Sequence, residues 1–501
     1  MKKAPMKHAL LRGRTALTAA ILLMLTACAS APGKLGSPAL RDDVPLAGLQ
    51  SPARAGWPIA SWWHQYDDPQ LDGLMDRAMQ QSPDLALAQS RVQSADQSAR
   101  LAAAQLGLSV NGSAQVSRTR MSDHGLIPSK FLGFSWYNQA DLGVQLQYDF
   151  DWWGKKRATV EAALDQAHAA EAQRSAAALA IQYAVADTYF GWQADQARLQ
   201  LTDQLLATQQ QFTHIAELRV QQGVDLPDEA QKARAQLAAV REMHVALDGS
   251  ANIRRAALAS LLGIAPAQLP ELKSRPLPIV ERGVPADAGL DLIARRPDIA
   301  ASRWQVEAAL KQTDAARAEF FPDISITALA GLSSIDMGKL LTAGSRTFAL
   351  TPALHLPIFN GGALEANYGL SQAQLDAAVA QYNGTVLTAA REVATQALSA
   401  EQVAARQHEQ QGQLDADQQL LANAQARAHQ GVRDARERLG AQAELLQQRD
   451  AATQWQAQAL STDLALIKAL GGGYRNNTPA ASAAESSSSS VTAGAADHER
   501  H

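Results

Sequence analysis

Residues 144–263 of this chain recur, without a gap, 208 positions further on. Gly154 returns as Gly362, Gln166 as Gln374, Val185 as Val393, Leu206 as Leu414, Gln222-Gly223-Val224 as Gln430-Gly431-Val432, Leu258 as Leu466 and Gly263 as Gly471. Constant register over such a length marks an internal duplication, so any fold for the first copy must also suit the second. Within the first copy, residues 155–221 contain no proline and one glycine, Gly191. This predicts a single helix roughly 100 Å long at 1.5 Å per residue, far beyond the usual three to four turns. A break at Gln222-Gly223-Val224 follows, then a return helix. Its positions Ala230, Ala233, Leu237, Val240, His244, Leu247, Ala251, Arg254, Leu258 and Leu261 step by three and four, the seam of a coiled coil. His244 and Arg254 are the polar exceptions on that seam.

Ahead of each long helix the pattern changes period. Residues 69–81 read as a short amphipathic helix and 83–106 as a second, with proline in its first turn. Residues 109–118 alternate Val110, Gly112, Ala114 and Val116, and residues 141–150 alternate Leu142, Val144, Leu146 and Tyr148. These are strand signals, and about ten residues suits a tilted membrane strand. The second copy repeats the order: a helix over 297–319, then Ile324, Ile326, Ala328 and Ala330, then Phe348, Leu350, Pro352, Leu354 and Leu356. Here the offset falls from 214 to 208, so the first hairpin carries the longer connection. The expected organisation is a signal segment (1–27), an N-terminal segment and linker (28–69), a first repeat (70–270), a second repeat (271–473) and a Ser/Ala-rich, disordered tail (474–501). The fold class is mixed α and β. Four strands cannot close a barrel in lipid, where open edges are not tolerated. Three chains supply twelve strands, within the even-numbered range of such barrels.

Composition narrows the function classes. Charged residues are 19% and aromatics 5%, which suits helix bundles better than an aromatic-rich core. Residues 1–27 hold five basic and no acidic side chains, so the chain from Cys28 onward carries 40 basic against 49 acidic groups. No basic patch points to nucleic acid. The apolar run 16–27 is too short for a mature membrane helix, and no later segment is longer. Lys2, Lys3, Lys7, Arg12 and Arg14 followed by an apolar core read as a secretory signal. It ends Leu25-Thr26-Ala27-Cys28, which resembles the bacterial lipobox and makes Cys28, the only cysteine, the expected lipid-attachment site. Ala29 after it, rather than aspartate, implies sorting to the outer membrane.

Several motifs resemble the outer membrane factor (TolC-like) family, and most closely its NodT/OprM-type lipoprotein branch. They are Trp62-Trp63 with Asp68-Pro69-Gln70-Leu71, Asp151-Trp152-Trp153-Gly154, Arg295-Arg296-Pro297-Asp298-Ile299, Phe321-Pro322-Asp323-Ile324-Ser325, Leu356-Pro357-Ile358-Phe359-Asn360-Gly361-Gly362, and Tyr382-Asn383 with Arg391-Glu392-Val393. The first repeat departs at Leu106-Gly107-Leu108, where the second has Phe320-Phe321-Pro322. The resemblance implies a trimeric 12-stranded transmembrane β-barrel continuous with a long periplasmic α-helical barrel. The implied partners are a second and third copy of the chain, outer membrane lipid, a periplasmic adaptor (membrane fusion protein) and an inner-membrane transporter of RND or MFS type. It implies no enzymatic activity and no cofactor.

Gly223 and Gly431 most simply permit tight helix reversals. In the resembling family such tips also meet the adaptor, which makes Gln222, Val224, Gln430 and Val432 contact candidates. The family narrows its duct just after the second tip, where this chain has Arg433, Arg436 and Glu437. A charged residue facing a threefold axis appears three times and repels its copies unless countered. Arg436 of one chain pairing with Glu437 of the next would hold such a gate shut. The plainer reading is a solvated helix start with Arg433–Glu437 and Asp434–Arg438 as i,i+4 pairs. His64, His214, His244, His408 and His429 show no metal-ligand spacing, so no metal is expected. Gly331 to Lys339 has the wrong glycine spacing for a phosphate loop. Trp152 and Trp153 suit either an interfacial aromatic belt or packing at the turn. Three functions compete: a passive exit duct for drugs or other small molecules, a type I secretion outer membrane channel, and a non-channel coiled-coil envelope lipoprotein. Strands of membrane length argue against the last.

Overall fold

The computed structural model describes residues 38–41, 43–46, 56–122, 124, 129–280, 283–285, 288–430 and 435–475. Among them the main elements run α1 (Pro69–Gln81), α2 (Pro83–Ala104), β1 (Ser109–Arg120), β2 (Trp136–Phe150), α3 (Lys155–Gln221), α4 (Pro227–Leu261), α5 (Ala288–Arg295), α6 (Pro297–Ala318), β3 (Asp323–Ser334), β4 (Arg346–His355), α7 (Ala363–His429) and α8 (Ala435–Ala469). A 3-10 turn, Trp62–Tyr66, precedes α1, and a single helical turn, Ser129–Leu132, lies in the first hairpin connection. The duplication holds element by element. The bounds of α7 and α8 are those of α3 and α4 moved by 208, and those of α6 and β3 are α2 and β1 moved by 214. The exception is β2, which starts at Trp136 rather than at 141. Trp136 and Tyr137 are strand formers, and they pair with Arg120 and Thr119, which lengthens β1 as well.

The strands form one antiparallel meander in the order β1-β2-β3-β4. The helices form a layer beneath it with α3 as its spine. The sheet-proximal half of α3 packs between α2 and α6, and its far half between α4 and α8. α7 packs on α6 and then on α8, while no packing of comparable extent joins α7 to α2 or α4 within the chain. No described helix is long and apolar enough to cross a membrane.

The seam of α4 is buried at Ala230, Ala233, Leu237, Val240, Leu247, Ala251 and Leu258. Its two polar members are paired to α3: Arg254 Nε donates to Asp195 at 2.9 Å, and His244 Nε2 lies 3.1 Å from Asp203. The Arg254 guanidinium lies over Gly191, and a Cβ at that glycine would overlap it. Two equivalent cores sit below the sheet. Leu85, Val92, Val185, Leu258 and Leu262 of the first repeat correspond to Ile299, Val306, Val393, Leu466 and Leu470 of the second, all buried.

Each return helix ends on a left-handed glycine that abuts the carbonyl two residues before the proline that starts α2 or α6 of its own repeat. Gly263 (φ 69°) lies on Gln81 O and Gly471 (φ 92°) on Arg295 O. A Cβ at 471 overlaps that carbonyl and strains the backbone. Gly471→Ala is therefore expected to cost about 1–3 kcal/mol; an unchanged thermal midpoint of the purified protein would refute this.

Candidate functional site

Strand register sorts the sheet residues onto two faces of opposite character. The rungs Phe150–Ile324–Leu354, Tyr148–Ile326–Pro352, Leu146–Ala328–Leu350 and Val144–Ala330–Phe348 stack on one face. Val110, Gly112, Ala114 and Val116 of β1 continue it. The other face carries Asn111, Ser113, Gln115, Gln139, Asp141, Gln145, Gln147, Asp149, Asp323, Ser325, Thr327 and Ser333. Along it Asp141 accepts from Ser333 Oγ at 2.6 Å and from Gln139 Nε2, and Asp149 meets Lys156 at 3.0 Å. A membrane strand with lipid on one side and water on the other requires this alternation. Leu354 is 67% exposed in the single chain, as are Phe348 and Leu350 beside it to greater extent, so the β4 part of the apolar face has no cover within the protomer. At the strand-to-helix corner the two tryptophans divide the two roles open to them. Trp153 stacks on Phe321 at 4.6 Å and donates to Pro322 O, whereas Trp152 is 65% exposed beside Phe150.

The motifs at the helix bases are buried polar joints. Asp68 caps α1 through the Gln70 amide, accepts the Tyr189 hydroxyl at 2.7 Å, and takes Arg275 Nη1 at 3.1 Å. Burial, with the hydrogen bond to Asp68 next, pushes the Tyr189 hydroxyl well above its ordinary pKa, so it stays a donor. In the second repeat, Arg296 bridges Asp298, Glu392 and the carbonyl of Ala469. Part of the N-terminal segment that composition suggests as linker is docked on α7. Tyr382 Oη donates to Arg41 O, Asn383 Nδ2 donates to Ala39 O, and Val44 is buried.

At the far end of the helices the two copies meet through charge. Gln222, Gly223 and Val224 are exposed; Gly223 takes the φ of 69° that the reversal requires, and the Val224 amide donates back to Arg219 O. Gln430 is likewise exposed at the end of α7. Arg219 donates two hydrogen bonds to Asp225, at 2.8 and 3.0 Å. Arg436, from the second copy, adds a third to the same carboxylate at 2.9 Å. Glu437 is held by Arg427 of its own hairpin. Among the described residues, Arg436 and Glu437 thus have partners within their own chain. Gly431, Val432 and Arg433, like Cys28, lie outside the described residues. Asp225 is the residue that motif reading passed over, yet the duplication carried its signal. At the offset of 208 it corresponds to Arg433, and Asp228 corresponds to Arg436, so the sign of charge reverses between the copies at both positions. The hydrogen bonds of Arg219, then the charges of Arg219 and Arg436, hold the Asp225 carboxyl below its ordinary pKa.

A sheet apolar on one face and polar on the other, continuous with hairpins of 67- and 35-residue helices, defines a subunit of an outer membrane channel. The pattern that describes outer membrane efflux proteins matches residues 74–264 and 290–472, the two copies of the duplication. The multidrug resistance outer membrane protein MdtP of Escherichia coli K12 is 32% identical over 443 residues, covering 87% of this chain and 90% of that protein. MdtQ of Escherichia coli O157:H7 is 32% identical over 474 residues, 91% and 97% of the two chains. Among solved structures, the outer membrane protein VceC of Vibrio cholerae superposes with a TM-score of 0.74 at 32% identity, covering 84% of this chain and all of that one. The chain belongs to the outer membrane efflux protein family.

Proposed function

We propose that this chain is the passive outer membrane exit duct of a tripartite pump for drugs or other small molecules. The observation that carries the reading is the two-faced sheet, whose polar face is continuous with the hairpins and whose β1 and β4 edges are open. In lipid those edges must be paired. The helix layer repeats the same incompleteness, since α7 at one edge and α2 and α4 at the other lack counterparts that the duplication supplies inside the chain. A homotrimer satisfies both, with twelve strands around one lumen. The exposed tips at Gln222, Gly223, Val224 and Gln430, together with Gly431 and Val432 by repeat equivalence, are the proposed contacts for a periplasmic adaptor, itself joined to an inner-membrane transporter of RND or MFS type. The groove of about 460 Å³ between α3, α4 and α8, lined by Leu205, Phe212, Val240 and Met243 together with Gln209, Gln236, Glu444 and Gln447, suits an amphipathic partner helix. The gate assigned to the second tip becomes a clasp, Arg219–Asp225–Arg436, with Glu437 next to Arg436 in the chain.

Reconstitution in planar bilayers tests the duct: discrete conductance steps and a heat-resistant trimer on gels are expected. Absence of both would favour the coiled-coil rod. Lipid attachment at Cys28 is tested separately. Cys28→Ser is expected to abolish labelling by palmitate while export continues, and equal labelling of the variant would refute the assignment.

A further inference from the structure

The sheet sorts its charges as well as its apolar groups. Every aspartate of the four strands, Asp141, Asp149 and Asp323, lies on the polar face. Every arginine, Arg118, Arg120 and Arg346, lies on the apolar face. All three stand toward the loop end, away from the helices. Arg118 and Arg120 follow Val116 on its face of β1, and Arg346 opposes Leu332. Beside Arg118 and Arg120, Trp136 of β2 is 53% exposed, and the Arg118 guanidinium lies 5.5 Å from the centre of its ring, while Arg346 stands on the opposite edge strand. Among the described residues no carboxylate pairs with Arg118 or Arg346, although both are exposed. Their sequence neighbours on the polar face are the neutral Ser117, Thr119 and Thr347.

Arginine on a lipid-facing strand is costly at mid-bilayer and tolerated near the interface. A tryptophan at that level marks the headgroup boundary. Guanidinium is the side chain best shaped for bidentate phosphate recognition, and it gains most where water is partly excluded. We propose that Arg118, Arg120 and Arg346 form a binding surface on the outward rim of the barrel for the phosphate groups of an outer-leaflet lipid. The assignment rests on the membrane placement of the sheet given above. It needs a phosphate presented by an amphiphile, because the apolar rungs just below the arginines take the acyl chains.

The test uses the full-length protein in neutral detergent, titrated with a fluorescent bisphosphorylated glycolipid. Phosphatidylcholine is the zwitterionic control and inorganic phosphate the free competitor. The glycolipid is expected to bind about tenfold more tightly than phosphatidylcholine, and Arg118→Gln/Arg346→Gln to lose most of that preference. Arg118→Lys/Arg346→Lys is expected to keep a larger part, which separates lost charge from lost folding. Conductance intact in the Gln variant together with unchanged glycolipid affinity overturns the lipid site and leaves the duct standing. Displacement by millimolar inorganic phosphate also overturns it, in favour of a free-anion site. A wild-type protein without channel activity counts against the membrane placement and this surface together.

Discussion

Replacing Asp225 by asparagine is expected to raise the single-channel conductance of the purified trimer several-fold. The carboxylate accepts two hydrogen bonds from Arg219 of its own hairpin and one from Arg436 of the other. Asparagine keeps the shape, loses the charge, and offers one oxygen where two now accept. The negative charge that both Arg219 and Arg436 meet is then gone, which weakens the contact between the two hairpins. Arg436→Gln is expected to open the tip less, because it removes one bond and leaves those of Arg219 to Asp225 in place. The double variant should open no further than Asp225→Asn alone, since both changes cut one joint. Glu437→Gln should have a smaller effect, because its bond to Arg427 stays within one hairpin and does not cross between the two. The difference between wild type and variants should shrink in concentrated salt. Unchanged conductance in both Asp225→Asn and Arg436→Gln would leave these residues as a solvated surface only.

The same clasp predicts a pH window. With these contacts formed, the Asp225 pKa lies below its ordinary 3.8, first through the hydrogen bonds of Arg219 and then through Arg436. A depressed carboxyl contributes its full hold above the ordinary value and loses it as pH falls through the lowered value. Conductance should thus stay constant from neutral pH down to about 4 and rise below that. A transition centred near pH 6 would point to a histidine instead.

The second large effect is expected at the membrane. Ile326→Arg and Leu354→Arg each place a charge on the apolar face, where arginine in a barrel costs about 2–4 kcal/mol at mid-bilayer. The change occurs in every chain of the assembly, so the yield of heat-resistant trimer should fall steeply for Ile326→Arg and less for Leu354→Arg, whose rung is next to the helix end of the sheet. Thr327→Arg, one residue away on the opposite face, is the control and should assemble normally. Equal yields from Ile326→Arg and Thr327→Arg would show that the apolar face does not meet lipid.

How far each site could be read from sequence follows from how far apart its parts lie. The bounds of α3, the buried seam of α4 and the two-residue alternation of the strands are set by neighbours within one or two turns, so periodicity revealed them. The offset of 208 extended those readings to the second copy without further information. The faces of the strands follow from the same parity: once Ile326 is paired with Tyr148, every rung between β2 and β3 is fixed. The start of β2 escaped, because Trp136 and Tyr137 break the apolar alternation and are held by pairing across the hairpin. Arg254 is a polar exception on the seam, and its partner Asp195 lies on another helix, 59 positions away.

The chain by itself determined the duplication, the helical hairpins, the strand count and the family. Only the tertiary structure decided which charges touch. Asp225 and Arg436 are separated by 211 positions, and their pairing depends on α8 lying against α3, a side-by-side placement that no local pattern specifies. The sorting of arginines to one sheet face and aspartates to the other likewise emerges only when four strands share a register. Periodicity records which face of an element is buried, whereas the identity of the partner across that face is a property of packing.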